Sequence, residues 1–195
     1  MFTRGEFIHR TAVASVTRRV MAVLIVGGWL HALAAEEENN AIKNGNFEKG
    51  RVSWSLGTGV RVIDVPEKAE DGSTKTNKVC EIPLRKDHAN KISIPVTMAK
   101  QTKELTVTLR VKPSENFESA LPDGDQMRLN LFYLRGSTYK VCKIKPNGQW
   151  QKFDWNASFG GQQITSFSLD VLSGKGSVWV DDVVVKCQQL VKTGQ

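Results

Sequence analysis

The sequence predicts an all-β domain, an antiparallel sandwich or barrel. Three observations predict it. Short runs rich in Val, Ile, Thr and Phe alternate apolar and polar residues, the period of a strand with one buried face. No stretch keeps an apolar stripe of helical period for as long as three turns. Gly, Pro, Asn and Asp interrupt the runs about every 8–12 residues, as turns do between short antiparallel strands.

In chain order the runs begin with Val60–Val65, Lys78–Leu84 and Lys91–Thr97. Leu105–Lys112 shows the alternation best, with Val107, Leu109 and Val111 on one face and Thr106, Thr108 and Arg110 on the other. The stretch from Pro113 to Asp125, holding Pro122 and Asp123-Gly124, is the longest connection and is expected on the surface. Arg128–Leu134 and Tyr139–Lys145 then read as a hairpin turning through Gly136-Ser137, with Gly136 supplying the positive φ of a II′ turn. In that register Leu134 faces Tyr139, Phe132 faces Val141 and Asn130 faces Lys143. The opposite face, with Leu129, Leu131, Tyr133, Cys142 and Ile144, suits a core. The first face mixes polar groups with Phe132, Leu134 and Tyr139: it is either a binding surface or is covered by a neighbouring loop. Trp150–Ala157, Thr165–Val171 and Val178–Val185 bring the set to about nine strands.

Ahead of the domain, residues 20–30 form an apolar stretch preceded by Arg18 and Arg19 and followed by Ala32-Leu33-Ala34. A basic region, a short apolar region and an A-x-A site make a secretory signal over residues 1–34, cleaved after Ala34. An uncleaved anchor is the alternative, but the run is short for a span. Residues 35–40 form an acidic tether, 41–187 the domain and 188–195 a tail. The leader holds Arg4, Arg10, Arg18 and Arg19 against Glu6 alone, so it carries three of the seven net positive charges. The four that remain are dispersed, unlike the basic stripe of a nucleic-acid binder. No long apolar run follows the leader, so the mature chain is not expected to span a membrane; a secreted, periplasmic or cell-surface monomer is expected. Cys80, Cys142 and Cys187 are odd in number and irregularly spaced. One bridge in an oxidising compartment is one reading; packing as small hydrophobes, given their apolar flanks, is the favoured one.

Catalytic patterns are missing. His88, in the charged stretch Arg85-Lys86-Asp87-His88, is the one histidine after the leader, and G-x-S-x-G, H-E-x-x-H and P-loop motifs do not occur. The carboxylates are scattered, so a small glycosidase would need two of them brought together by the fold. No enzyme is expected. The chain ends say more. Asn44-Gly45-Asn46-Phe47-Glu48 is followed by Trp54, and Val178-Trp179-Val180-Asp181-Asp182-Val183 closes the domain. Alternation places Asp181 on the face of Val183 and Val185, and a core-facing carboxylate is costly unless paired. A hard cation held by oxygen ligands, with Glu48 and nearby carbonyls, would resolve that cost. A wet position at the strand's mouth, or capping of backbone N–H groups, would resolve it equally.

These two end motifs, with Gly148-Gln149-Trp150-Gln151-Lys152-Phe153 between them, resemble those of the CenC-type carbohydrate-binding modules, families 4, 9 and relatives. The resemblance covers residues 41–186. It implies a jelly-roll β-sandwich, galactose-binding-domain-like, with a structural Ca2+ near Glu48, Asn46 and Asp181. It also implies a glycan partner, polysaccharide or oligosaccharide, with no nucleic acid. In such a sandwich the outer face of one sheet presents Phe132 and Tyr139 as stacking platforms, and Asn130 and Asp170 as hydrogen-bonding groups. Members usually accompany a glycoside hydrolase, and no catalytic domain is present in this sequence. A cell-surface or periplasmic protein-interaction sandwich without a glycan ligand is the alternative.

Overall fold

The computed structural model describes residues 40–69, 71–96, 101–121 and 126–189. The expected leader, and all of the tether but Asn40, lie outside those residues. The described chain is all-β, with two five-stranded antiparallel sheets. Sheet A has the order β1 (Ser55–Leu56), β4 (Asn90–Pro95), β10 (Ile164–Val171), β7 (Met127–Tyr133) and β8 (Gly136–Cys142). Sheet B has the order β2 (Arg61–Lys68), β3 (Thr74–Pro83), β12 (Ser177–Gln189), β5 (Thr102–Pro113) and β9 (Gln151–Gln162). The expected surface loop after Pro113 contains β6 (Glu118–Ser119), which pairs with β11 (Gly174–Lys175), and it buries Phe117.

The alternation seen in the sequence builds the core. Leu105, Val107, Leu109 and Val111 of β5 and Val178, Val180, Val183 and Val185 of β12 face Ile92, Ile94, Met127, Leu129, Leu131, Phe167 and Leu169 of sheet A, and all are buried. Cys80 and Cys142 join this core, Cys187 packs at its margin, and all three thiols are free. Burial pushes the Cys80 thiol up to about 12 and the other two to about 11.

The first end motif is a structural clasp. Asn44 adopts a left-handed φ of 57°, and its side chain bridges Gly50 O, Val52 O and Lys49 N. The indole of Trp54 donates to Asn44 O at 2.9 Å, and its ring packs 5.0 Å from Phe47, which is fully buried. Gly45 is pressed against the Val183 carbonyl so closely that a Cβ would collide with it. Val183 N in turn donates to Gly45 O, and Ala41 N to Val185 O, so the entering chain runs alongside the middle of β12.

Two registers differ from the expectation. The β7–β8 hairpin turns at Leu134-Arg135, with Tyr133 opposite Gly136, so Asn130 faces Tyr139 and Phe132 faces Ser137. Gly136 does not take a positive φ but lies close under the Tyr133 side chain: a Cβ there would lie 3.3 Å from the Tyr133 hydroxyl. The slip is even-numbered, so every side chain keeps its face. Lys140 therefore sits on the inner side of edge strand β8, opposite Leu129, and its Nζ donates to Asp154 O of edge strand β9 at 2.8 Å. The second difference is a bulge in β12. Asp181 opposes Arg110 but Val184 opposes Thr108, and Asp182 takes a φ of 49°. The extra residue lets Val180 and Val183 both point inward and leaves Asp181 on the outer side.

Candidate functional site: the outer face of sheet A

The four residues expected to grip a ligand come together on the outer face of sheet A. Ser168 of β10 lies between Ser93 of β4 and Asn130 of β7, and Asn130 lies opposite Tyr139 of β8. One step along, Asp170 lies between Lys91 and Arg128. One step the other way, Ser166 lies between Pro95 and Phe132. The face is thus a grid of small hydroxyls and charged groups with two rings on its β7–β8 side.

The polar side chains are tied in series. Asn130 Nδ2 donates to Ser168 Oγ at 3.2 Å, and Ser168 Oγ donates to Asp170 Oδ1 at 3.2 Å. Ser168 is buried, so it holds its two neighbours in place rather than meeting a ligand itself. Phe132 is 40% exposed and Tyr139 59%. The Arg128 guanidinium lies 5.4 Å from the centre of the Tyr139 ring, a cation–π contact that fixes the ring's tilt. Sequence reasoning missed Arg128; its position directly opposite Asp170 follows only from the β7–β10 register. Lys143, expected opposite Asn130, lies beyond the end of β8.

Sheet B also carries aromatic residues on its outer side, but Trp150 and Trp179 are only partly exposed, whereas Phe132 and Tyr139 are exposed. Arg110 lies 4.9 Å over Trp150 and Lys112 lies 5.1 Å over Trp179, whose Nε1 also donates to Glu81 at 3.5 Å. Trp54 and Trp155 are core residues, as tryptophans in a small sandwich usually are. The apolar groups exposed for contact therefore concentrate on sheet A.

Asp181 is at the centre of a second cluster. It is 1% exposed, yet it lies on the outer side of sheet B, against Arg110 and Asn77, and not among the core aliphatics where simple alternation put it. Its Oδ2 accepts from Arg110 Nη2 and from Asn77 Nδ2, both at 2.8 Å, and its Oδ1 accepts from Asp182 N. Arg110 also meets Glu67 at 3.0 Å and Asp182 at 2.7 Å. Burial and the Asp182 carboxylate together push Asp181 up to about 6, against the pull of Asn77 and Arg110. Glu48 accepts from Lys78 N at 3.4 Å, and the Asn46 side chain accepts from Glu48 N. As arranged, Glu48, Asn46 and Asp181 do not fit a calcium ion, because the guanidinium of Arg110 occupies the cation's place beside Asp181. Among the described residues no three His, Cys, Asp or Glu side chains gather as a metal site.

No protein-family model and no curated protein matches the sequence. Solved structures do match the fold. The chain is similar to the CBM22-1 xylan-binding domain of Paenibacillus barcinonensis Xyn10C, with a TM-score of 0.52 and 15% identity over 75% of this chain and 94% of that one. It is similar to a family 16 carbohydrate binding module, with a TM-score of 0.52 and 17% identity over 75% of this chain and 99% of that one. It also matches the enzymatically active domain of bacteriophage CBA120 tailspike protein 4, with a TM-score of 0.54 and 12% identity over 77% of this chain. Of that longer chain it spans only 22%. At 12–17% identity the common property is architecture: the chain has the all-β sandwich fold of carbohydrate-binding modules.

Proposed function

We propose that the protein is an exported, non-catalytic glycan-binding module of CenC type that holds its ligand against the outer face of sheet A. The observation that carries this reading is the exposure of Phe132 and Tyr139 beside the Asn130–Ser168–Asp170 series. A sugar ring has an apolar C–H face and a rim of hydroxyls. Exposed rings accept the first, and fixed amide and carboxylate oxygens the second. Binding rather than turnover is favoured by the acids nearest one another in sheet B, Glu67, Asp181 and Asp182, which are all committed to Arg110. Export is favoured by the leader pattern of residues 1–34.

A glycan array identifies the sugar, and affinity electrophoresis in a gel of that glycan then tests the site. Phe132→Ala and Tyr139→Ala should each weaken retention about tenfold, the size of one well-placed aromatic contact, with little change in melting temperature. Retention equal to wild type would reject the face. A protein-binding sandwich would leave the array blank.

A further inference from the structure

A cleft of about 760 Å³ opens at the end of the sandwich that carries the β7–β8 and β9–β10 turns. That volume lies within the roughly 300–1,000 Å³ typical of small-molecule sites. Gln101, Tyr133, Leu134, Arg135, Gln162 and Gln163 line it. Its chemistry is selective: three primary amides, a phenol, an apolar side chain and a single formal charge, that of Arg135. Among the described residues the side chains of the three glutamines and Arg135 form no hydrogen bond or ion pair, so their donors and acceptors are uncommitted.

The backbone is shaped to present them. Gln101 enters β5 with a φ of 55°, and Gly160 and Gly161 take φ values of 58° and 89°. Thr102 pairs with Gln162 while Glu104 pairs with Ser158, so β9 bulges at these glycines and redirects Gln162 and Gln163 toward the opening. The inner wall is Tyr133. It meets Phe159 edge-on at 6.1 Å and lies opposite Ile164, and both of those residues are buried. On that side the cleft is backed by the core. At its rim Leu134, 75% exposed, stands two residues along from Phe132, which continues the apolar strip of the outer face to the opening.

We propose that this cleft is a subsite for the terminal unit of the glycan, so that the domain recognises chain ends rather than chain interiors. The inference rests on the glycan reading above and adds to it a site and a direction of binding. A primary amide offers both a donor and an acceptor, the pairing that vicinal hydroxyls require, and the Tyr133 ring supplies a surface for a C–H face. With Arg135 the one charge in the lining, a neutral or anionic terminal sugar is favoured over a protonated amino sugar.

The test uses 15N-labelled protein titrated separately with xylohexaose, cellohexaose and β-1,4-galactohexaose, followed through backbone and side-chain amide signals. With the hexasaccharide that binds, signals of Asn130 and of Gln101, Gln162 and Gln163 should move together. A Gln162→Ala/Gln163→Ala double variant should lose about tenfold in affinity for it, with an unchanged melting temperature. Movement at Asn130 with still glutamines, or wild-type affinity in the double variant, overturns the cleft and leaves the sheet face standing. Signals that move with none of the three sugars, nor with an oligosaccharide of any glycan retained on the array, overturn both. Clipping the parent polysaccharide at constant mass should also raise its competing power in step with the number of ends; constant competing power overturns end recognition.

Discussion

Asp181 shows how a single carboxylate can be buried outside a core. Three donors reach its two oxygens, yet burial and Asp182 still raise it from 3.8 to about 6. The sign of the consequence follows from proton counting. Between those two values the folded chain binds more protons at this site than the unfolded chain, so the site's contribution to stability falls as pH rises from about 4 to 6 and is flat above. Glu81 shifts the opposite way, its burial outweighed by Arg61, Trp179 and Ser177 together, so the informative quantity is the difference between wild type and a variant. Asp181→Asn should remove the decline over that window when melting temperature is followed from about pH 3.5 to 7.5, whereas parallel curves would refute the assignment. The cost of placing Asp181 was legible in the sequence. Its face was not, because period-two counting fails across a bulge, and nothing about Asp182 in a Val-rich strand announces a left-handed backbone.

At the scale of the element, β12 ties the molecule together. It pairs with β5 along most of its length and with β3 over Ser177–Val180, and it receives the Asn40–Gly45 segment at Val183 and Val185. Arg110 answers the bulge by gathering Glu67, Asp181 and Asp182 around one guanidinium. Arg110→Met leaves Asp181 buried without its cation and should cost ~3 kcal/mol in urea denaturation, the low end for a broken buried pair because Arg110 is partly exposed. Wild type should melt at the same temperature with and without excess EDTA; a fall on chelation would show a bound ion where Arg110 is placed. The strands themselves were readable, since each of the nine alternating runs lies in or overlaps a strand of a sheet. The hairpin register was not. Gly136-Ser137 signals a turn by its chemistry, but Gly136 lies close under the Tyr133 ring, a contact visible only once the strands are paired.

Across the whole molecule, both sheets contribute to one core, with Trp54 and Trp155 inside it. Tryptophan fluorescence and far-ultraviolet circular dichroism should therefore report coincident unfolding transitions. Leu109→Ala should shift both together by about 2–5 kcal/mol, the cost of a cavity in a packed interior. Separated transitions would mean that the sheets unfold independently. The outer-face site was partly legible because its members lie on neighbouring strands and alternate in step. The end cleft was not, since residues 101, 133–135 and 161–163 have no shared pattern until the turns are brought together.

Lys140 has one further effect. An ammonium group on the inward side of a border strand, fastened to the facing border by Asp154, denies a foreign strand the apolar register it would need to zip on. The open flank of sheet A is thereby kept from pairing edge to edge with a second copy of the chain.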